Sequence, residues 1–120
     1  MTRWQRWSME GPYKLTDTVI DREVTKTSPG NYGLGHTNDG GGFTVKYVGR
    51  SDVDVNDRLK DWVGSYKEFK FSCAGTPKAA FEKECRNYHD FGGREKLDNE
   101  QHPARPSGTG WTCPVCTILE

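Results

Sequence analysis

A chain of 120 residues with zero formal net charge, 32% hydrophobic and 28% charged residues, suits one compact domain with a lean core. The charge balance excludes a nucleic-acid binder that works by bulk electrostatics, so any such role rests on where individual charges sit. No run reaches the roughly 20 apolar residues of a membrane span, and the N-terminus lacks the apolar stretch of a signal peptide.

These features and the four Cys point to a reducing, cytoplasmic setting, where thiols bind metal more readily than they pair. Aromatic residues (4 Trp, 5 Tyr, 5 Phe) supply much of the area available for burial. A lean domain of this size calls for a further staple, such as a metal ion. Leu119-Glu120 reads as a cloning-site remnant.

In chain order, residues 1–28 form an N-terminal extension, in which Arg alternates with Trp at Arg3, Trp4, Arg6 and Trp7. That segment is expected to dock its Trp side chains on the domain. Residues 18–25 fit a strand or a helix. Asn31 to Gly35 reads as a short strand, and His36 to Gly42 as a flexible loop. Phe43 to Gly49 alternates, with Phe43, Val45 and Tyr47 on one face and Thr44, Lys46 and Val48 on the other. A helix starts at Asp54, which can cap it, and buries Val55, Leu59 and Trp62 before Gly64 stops it. Lys67 to Cys73 alternates again, placing Phe69, Phe71 and Cys73 on one face. Thr76-Pro77 opens a second helix running to about Asp90. The expected fold is α+β, a small, mainly antiparallel three-stranded sheet flanked by helices, with an irregular tail over residues 104–120.

The second helix can be projected at about 100° per residue with Phe81 at the origin. Glu84 then falls at about −60°, among Ala80, Phe81 and Tyr88, whereas Glu82 falls at about +100°, between Lys78 and Arg86. Glu82 reads as a solvated acid. A carboxylate in an apolar arc is costly unless something there requires its charge, and a metal ion would. Arg58 sits at the edge of the first helix's buried stripe.

Gly30-Asn31-Tyr32 on a first strand and Tyr47-Val48-Gly49 ending a second are followed by Arg58 in a helix, Glu84 in a later helix and Asn99 in a closing segment. This order resembles the GIY-YIG nuclease domain, over residues 29–103. The resemblance implies a metal-dependent endonuclease acting on DNA. Tyr32 and Tyr47 would stand at the sheet face, with Tyr32 helping to deprotonate the attacking water. Arg58 would hold the scissile phosphate, and Glu84 would bind one divalent ion, Mg²⁺ or Mn²⁺. Gly49 would permit close approach to the strand opposite, and Asn99 would bond within the site or brace it. A protein partner could supply targeting. The sequence departs from the family pattern in polar Asn31, where an apolar residue is usual, in Trp62, where many members carry His, in a longer hairpin between the two tripeptides, and in Arg58, which lies one residue further from Gly49 than usual.

Cys113-Pro114-Val115-Cys116 has zinc-knuckle spacing and needs two more ligands. Cys85 and His89, at i and i+4, fall at about +40° and +80° on the second helix. Cys85, His89, Cys113 and Cys116 are therefore expected to hold a structural Zn²⁺ clamping the tail. His102 competes with His89, and Cys73 is the poorer thiol because the alternation buries it. Two alternatives to the nuclease stay open: a nucleic-acid-binding module without efficient cleavage, and a zinc-stabilised protein-interaction domain.

Overall fold

The computed structural model describes residues 9–118. The Arg-Trp alternation and Leu119-Glu120 lie outside them. One four-stranded antiparallel sheet has the order β1-β4-β2-β3, with β1 Glu10–Lys14, β2 Gly30–Thr37, β3 Phe43–Ser51 and β4 Glu68–Cys73. Four helices accompany it: α1 Asp17–Glu23, α2 Val55–Lys60, α3 Pro77–Asp90 and the short α4 Gly93–Lys96. The α+β class and antiparallel sheet agree with the sequence, but the sheet has four strands rather than three. The extra one is β1, in the stretch expected only to dock. It pairs with β4 at the edge of the sheet, where Pro12 costs no ladder bond.

The helix signals are local and act where the sequence places them. The Asp54 carboxylate accepts the Asn56 amide at 3.1 Å to start α2, and the Thr76 hydroxyl accepts the Ala79 amide at 3.0 Å to start α3. Thr16 caps α1 in the same manner, which settles residues 18–25 in favour of helix. The 38–42 loop is closed by Asn38, whose side-chain oxygen accepts the amides of Gly40 and Gly42.

One sheet face packs Tyr32, Leu34, Phe69 and Phe71 against Ile20 of α1 and Val55 and Leu59 of α2. The opposite face receives α3, where Val48 meets Tyr88 and Leu97. The expected alternation in β3 breaks at Lys46. Leu34 pairs with Tyr47 but Gly35 pairs with Val45, so Lys46 is an extra residue, and Val45 joins Val48 rather than Tyr47. Gly35 makes this bulge possible, since a Cβ there would collide with the Thr44 carbonyl oxygen. Cys73, expected to be buried with Phe69 and Phe71, lies at the end of β4 and is exposed.

The outer edge of β3 is covered. The Asp98 amide donates to the Lys46 carbonyl at 2.6 Å. Asn99 accepts the Val48 amide at 3.0 Å and donates to the Val48 carbonyl at 2.8 Å, as a neighbouring strand would. Among the described residues no helix is long and apolar enough to cross a membrane.

Candidate active site and metal cluster

A cleft of about 290 Å³ opens at the β3 edge. The sheet contributes Tyr32, Tyr47, Gly49 and Arg50 to its walls. Asp52 comes from the β3–α2 turn, Arg58 from α2, Glu84 from α3 and Ala104 from the tail. Asn99 does not line it. It stands behind the wall, bracing Val48 between Tyr47 and Gly49.

Tyr32 points under Gly49, where a Cβ would come within 2.4 Å of its phenol oxygen and ring. Gly49 therefore admits the Tyr32 ring, rather than permitting the strand contact expected of it. The Trp62 indole N–H donates to the Tyr32 hydroxyl at 2.9 Å and its ring packs on Tyr47 with centroids 4.5 Å apart. Burial pushes the Tyr32 phenol far above its ordinary value, and the Trp62 hydrogen bond offsets this only in part. Tyr47 is also raised, by burial and then by the Glu84 charge.

Glu84 is buried on α3, as the projection requires, and Glu82 is half-buried and outside the cleft. The Arg50 guanidinium donates to Glu84 at 2.5 Å and to Asp52 at 2.8 Å, with the Phe81 ring 5.2 Å away. Burial raises the Glu84 carboxyl, against the pull of Arg50. Arg58 is half-exposed, with its guanidinium 3.7 Å from Asp61. Asn31, the polar departure, donates to the Ala80 carbonyl at 2.8 Å. It ties β2 to α3 one turn before Glu84, on the sheet face that also carries Arg50.

A second cluster lies where the tail meets α3. The ligand atoms of His89, His102, Cys113 and Cys116 all fall within 4.8 Å of one another, a His₂Cys₂ group that could hold a metal such as zinc. His102 takes the position expected for Cys85. Cys85 is fully buried beside Phe81 and hydrogen-bonds to Cys113, and burial first, then the Cys113 charge, keeps its thiol protonated. Burial also pushes the Cys113 thiol up, but hydrogen bonds to its sulfur, led by those from the Val115 and Cys116 backbones, prevail and hold it at about 6.

No family model, curated protein or solved structure matches this chain.

Four of the five residues singled out from the motif order, Tyr32, Tyr47, Arg58 and Glu84, share the cleft. Sequence reasoning missed Arg50, Asp52 and the ligand position of His102. Arg50 had one usable signal: it follows Val48 by two residues and so points to the α3 face.

Proposed function

We propose that this chain is a small metal-dependent endonuclease of the GIY-YIG kind, hydrolysing DNA phosphodiester bonds in the β3-edge cleft. The observation that carries the reading is the convergence of Tyr32, Tyr47, Arg58 and Glu84, from two strands and two helices, on one cleft. Motif order alone does not require those side chains to meet.

The half-exposed Arg58 fork spans two phosphate oxygens and offsets the charge that grows on them. Glu84 and Asp52 are oxygen donors on either side of Arg50, and a hard ion such as Mg²⁺ binds through one or two carboxylates while keeping water. Such an ion, when bound, acidifies water and offsets charge on the phosphate and the leaving oxygen. Arg50 fixes the Glu84 carboxylate and keeps its charge compensated. With its oxygen accepting from Trp62 and its proton firmly held, Tyr32 acts as a hydrogen-bond donor to the phosphate. This replaces the base role expected from the resemblance.

The Arg50–Glu84 pair also favours a second reading, a phosphate-binding module whose carboxylate serves only structure. Nicking of supercoiled plasmid in Mg²⁺ or Mn²⁺ separates the two. The wild type should nick and Glu84→Ala should lose activity by about 10²-fold or more, while Glu82→Ala stays near wild type. Equal loss in both variants would remove the metal-ligand role, and an inactive wild type that still binds DNA in a salt-sensitive way would support the second reading.

A further inference from the structure

The tail from Arg94 onward has little regular structure beyond α4, yet Cys113 is buried against α3 and Trp111 packs on Phe81. Few apolar contacts fix so irregular a segment. The His₂Cys₂ group lies where the tail touches α3, and its four ligand atoms converge on one point.

Three details carry that statement. The His102 Nδ1 lies 2.8 Å from the Pro103 carbonyl, which can only accept, so Nδ1 holds the proton and Nε2 presents its lone pair toward Cys116, 3.4 Å away. The His89 Nε2 is buried and has no hydrogen-bond partner. The Val115 amide donates to the Cys113 sulfur at 3.4 Å across the Cys-Pro-Val-Cys turn. An unpartnered buried imidazole nitrogen, a second imidazole with its tautomer fixed by a carbonyl, and a sulfur receiving backbone N–H bonds are the preparations a metal–thiolate centre requires.

We propose that His89, His102, Cys113 and Cys116 bind one zinc ion in a closed tetrahedral site that fastens the tail to α3 and holds the cleft wall at Ala104. Two thiolates and two imidazoles suit zinc, whereas Mg²⁺ and Ca²⁺ take oxygen donors. Bonds of about 2.0–2.3 Å to zinc place tetrahedral ligands somewhat under about 4 Å apart, so the group needs only a small contraction. Four protein ligands leave no open position, which makes the centre structural rather than catalytic. Cys85 packs beside Cys113 in the same buried cluster but lies outside the converging group of four, so it is not itself a ligand. His102 is two residues before Ala104, so fixing its ring fixes that stretch of the cleft wall. The zinc centre stands apart from the nuclease reading, because its tests need no cleavage.

Full-length protein purified without chelator should contain about one zinc per chain by elemental analysis. His102→Ala and Cys113→Ser should lose the zinc, while Cys85→Ser and Cys73→Ser should retain it. Zinc-free wild type, or zinc lost from Cys85→Ser but kept in His102→Ala, would overturn the ligand set. Should the ligand variants fail to fold, cobalt added to chelator-stripped wild type decides the matter. Intense tetrahedral bands with thiolate charge transfer support the site, and a weak octahedral spectrum overturns it. Stripping the metal should also speed amide exchange at Ala104 and Arg105. Unchanged exchange there would overturn the link to the cleft wall. An inactive plasmid assay would leave all of these readouts as they stand.

Discussion

A phenol sealed beneath Gly49, with its oxygen already accepting from an indole, keeps its proton well past neutral pH, because the ionised form would have to be buried. Under the nuclease reading proposed above, that single environment suits Tyr32 to donate a hydrogen bond rather than to abstract a proton. Tyr32→Phe keeps the ring that fills the space under Gly49 and removes only the hydroxyl. The variant should stay folded, losing about 1 kcal/mol from the unpaired Trp62 N–H. Plasmid nicking should fall by about 10²-fold, the usual cost of one lost donor at a charged transition state. A donor and a base differ in the pH profile. If the rate falls but keeps its dependence on pH, Tyr32 donates; if the acid limb of the profile vanishes, it is the base. Arg58 carries a parallel expectation: Arg58→Lys should cleave poorly, because an ammonium lacks the planar fork that reaches two oxygens at once. A fully active Arg58→Lys enzyme would mark Arg58 as a surface residue.

Within elements, the device that sets the cleft wall is Asn99, whose side chain serves both backbone groups of Val48 as a strand would. Asn99→Ala leaves a buried N–H and C=O unpaired at the β3 edge and should destabilise the protein by about 1–3 kcal/mol, measured by urea unfolding. Asn99→Asp keeps the acceptor for the Val48 amide but sets a buried carboxylate against the Val48 carbonyl, so at neutral pH it should lose at least as much. No change in Asn99→Ala would mean that water replaces the brace at no cost. The parts of this fold that were legible in the sequence are those with local causes. Thr76-Pro77 and Asp54 start helices within a few residues of themselves, and the angle of Glu84 relative to Phe81 needs only helical geometry. The parts that were not legible depend on partners distant in the chain. β1 has Gly11-Pro12 in place of alternation and exists as a strand because β4 pairs with it. The Lys46 bulge depends on Gly35 across the hairpin. Arg50 gains its meaning from Glu84, 34 residues on. The helix angle that favoured Cys85 was correct as an angle, but which side chains meet Cys113 and Cys116 is decided by the path of the tail after Leu97, which turns His102 back toward α3.

Taken as a whole, the molecule concentrates phenols at its packed faces. Tyr13, Tyr32, Tyr47 and Tyr66 all have pKa values raised, in each case chiefly by burial, and Tyr66 reaches about 12, with its hydrogen bond to Asp98 adding to the effect. The unfolded chain releases such protons near pH 10, whereas the native chain holds them. Native stability from these groups is therefore complete below pH 10 and is lost as pH rises through about 12 for Tyr66. In an alkaline titration, tyrosinate absorbance should lag behind that of the urea-unfolded chain and then rise together with loss of near-ultraviolet circular dichroism. Full ionisation near pH 10 with the fold intact would contradict this. The sheet has a further consequence for how copies of this chain meet one another. Its β3 rim is already occupied by Asp98 and Asn99, and its other rim is a five-residue strand in which Pro12 has no amide to offer. Among the described residues, a sheet whose one rim is interrupted at Lys46 and Val48 and whose other rim carries a proline gives an incoming chain only a broken ladder to extend, so at high concentration the native protein is a poor seed for cross-β growth.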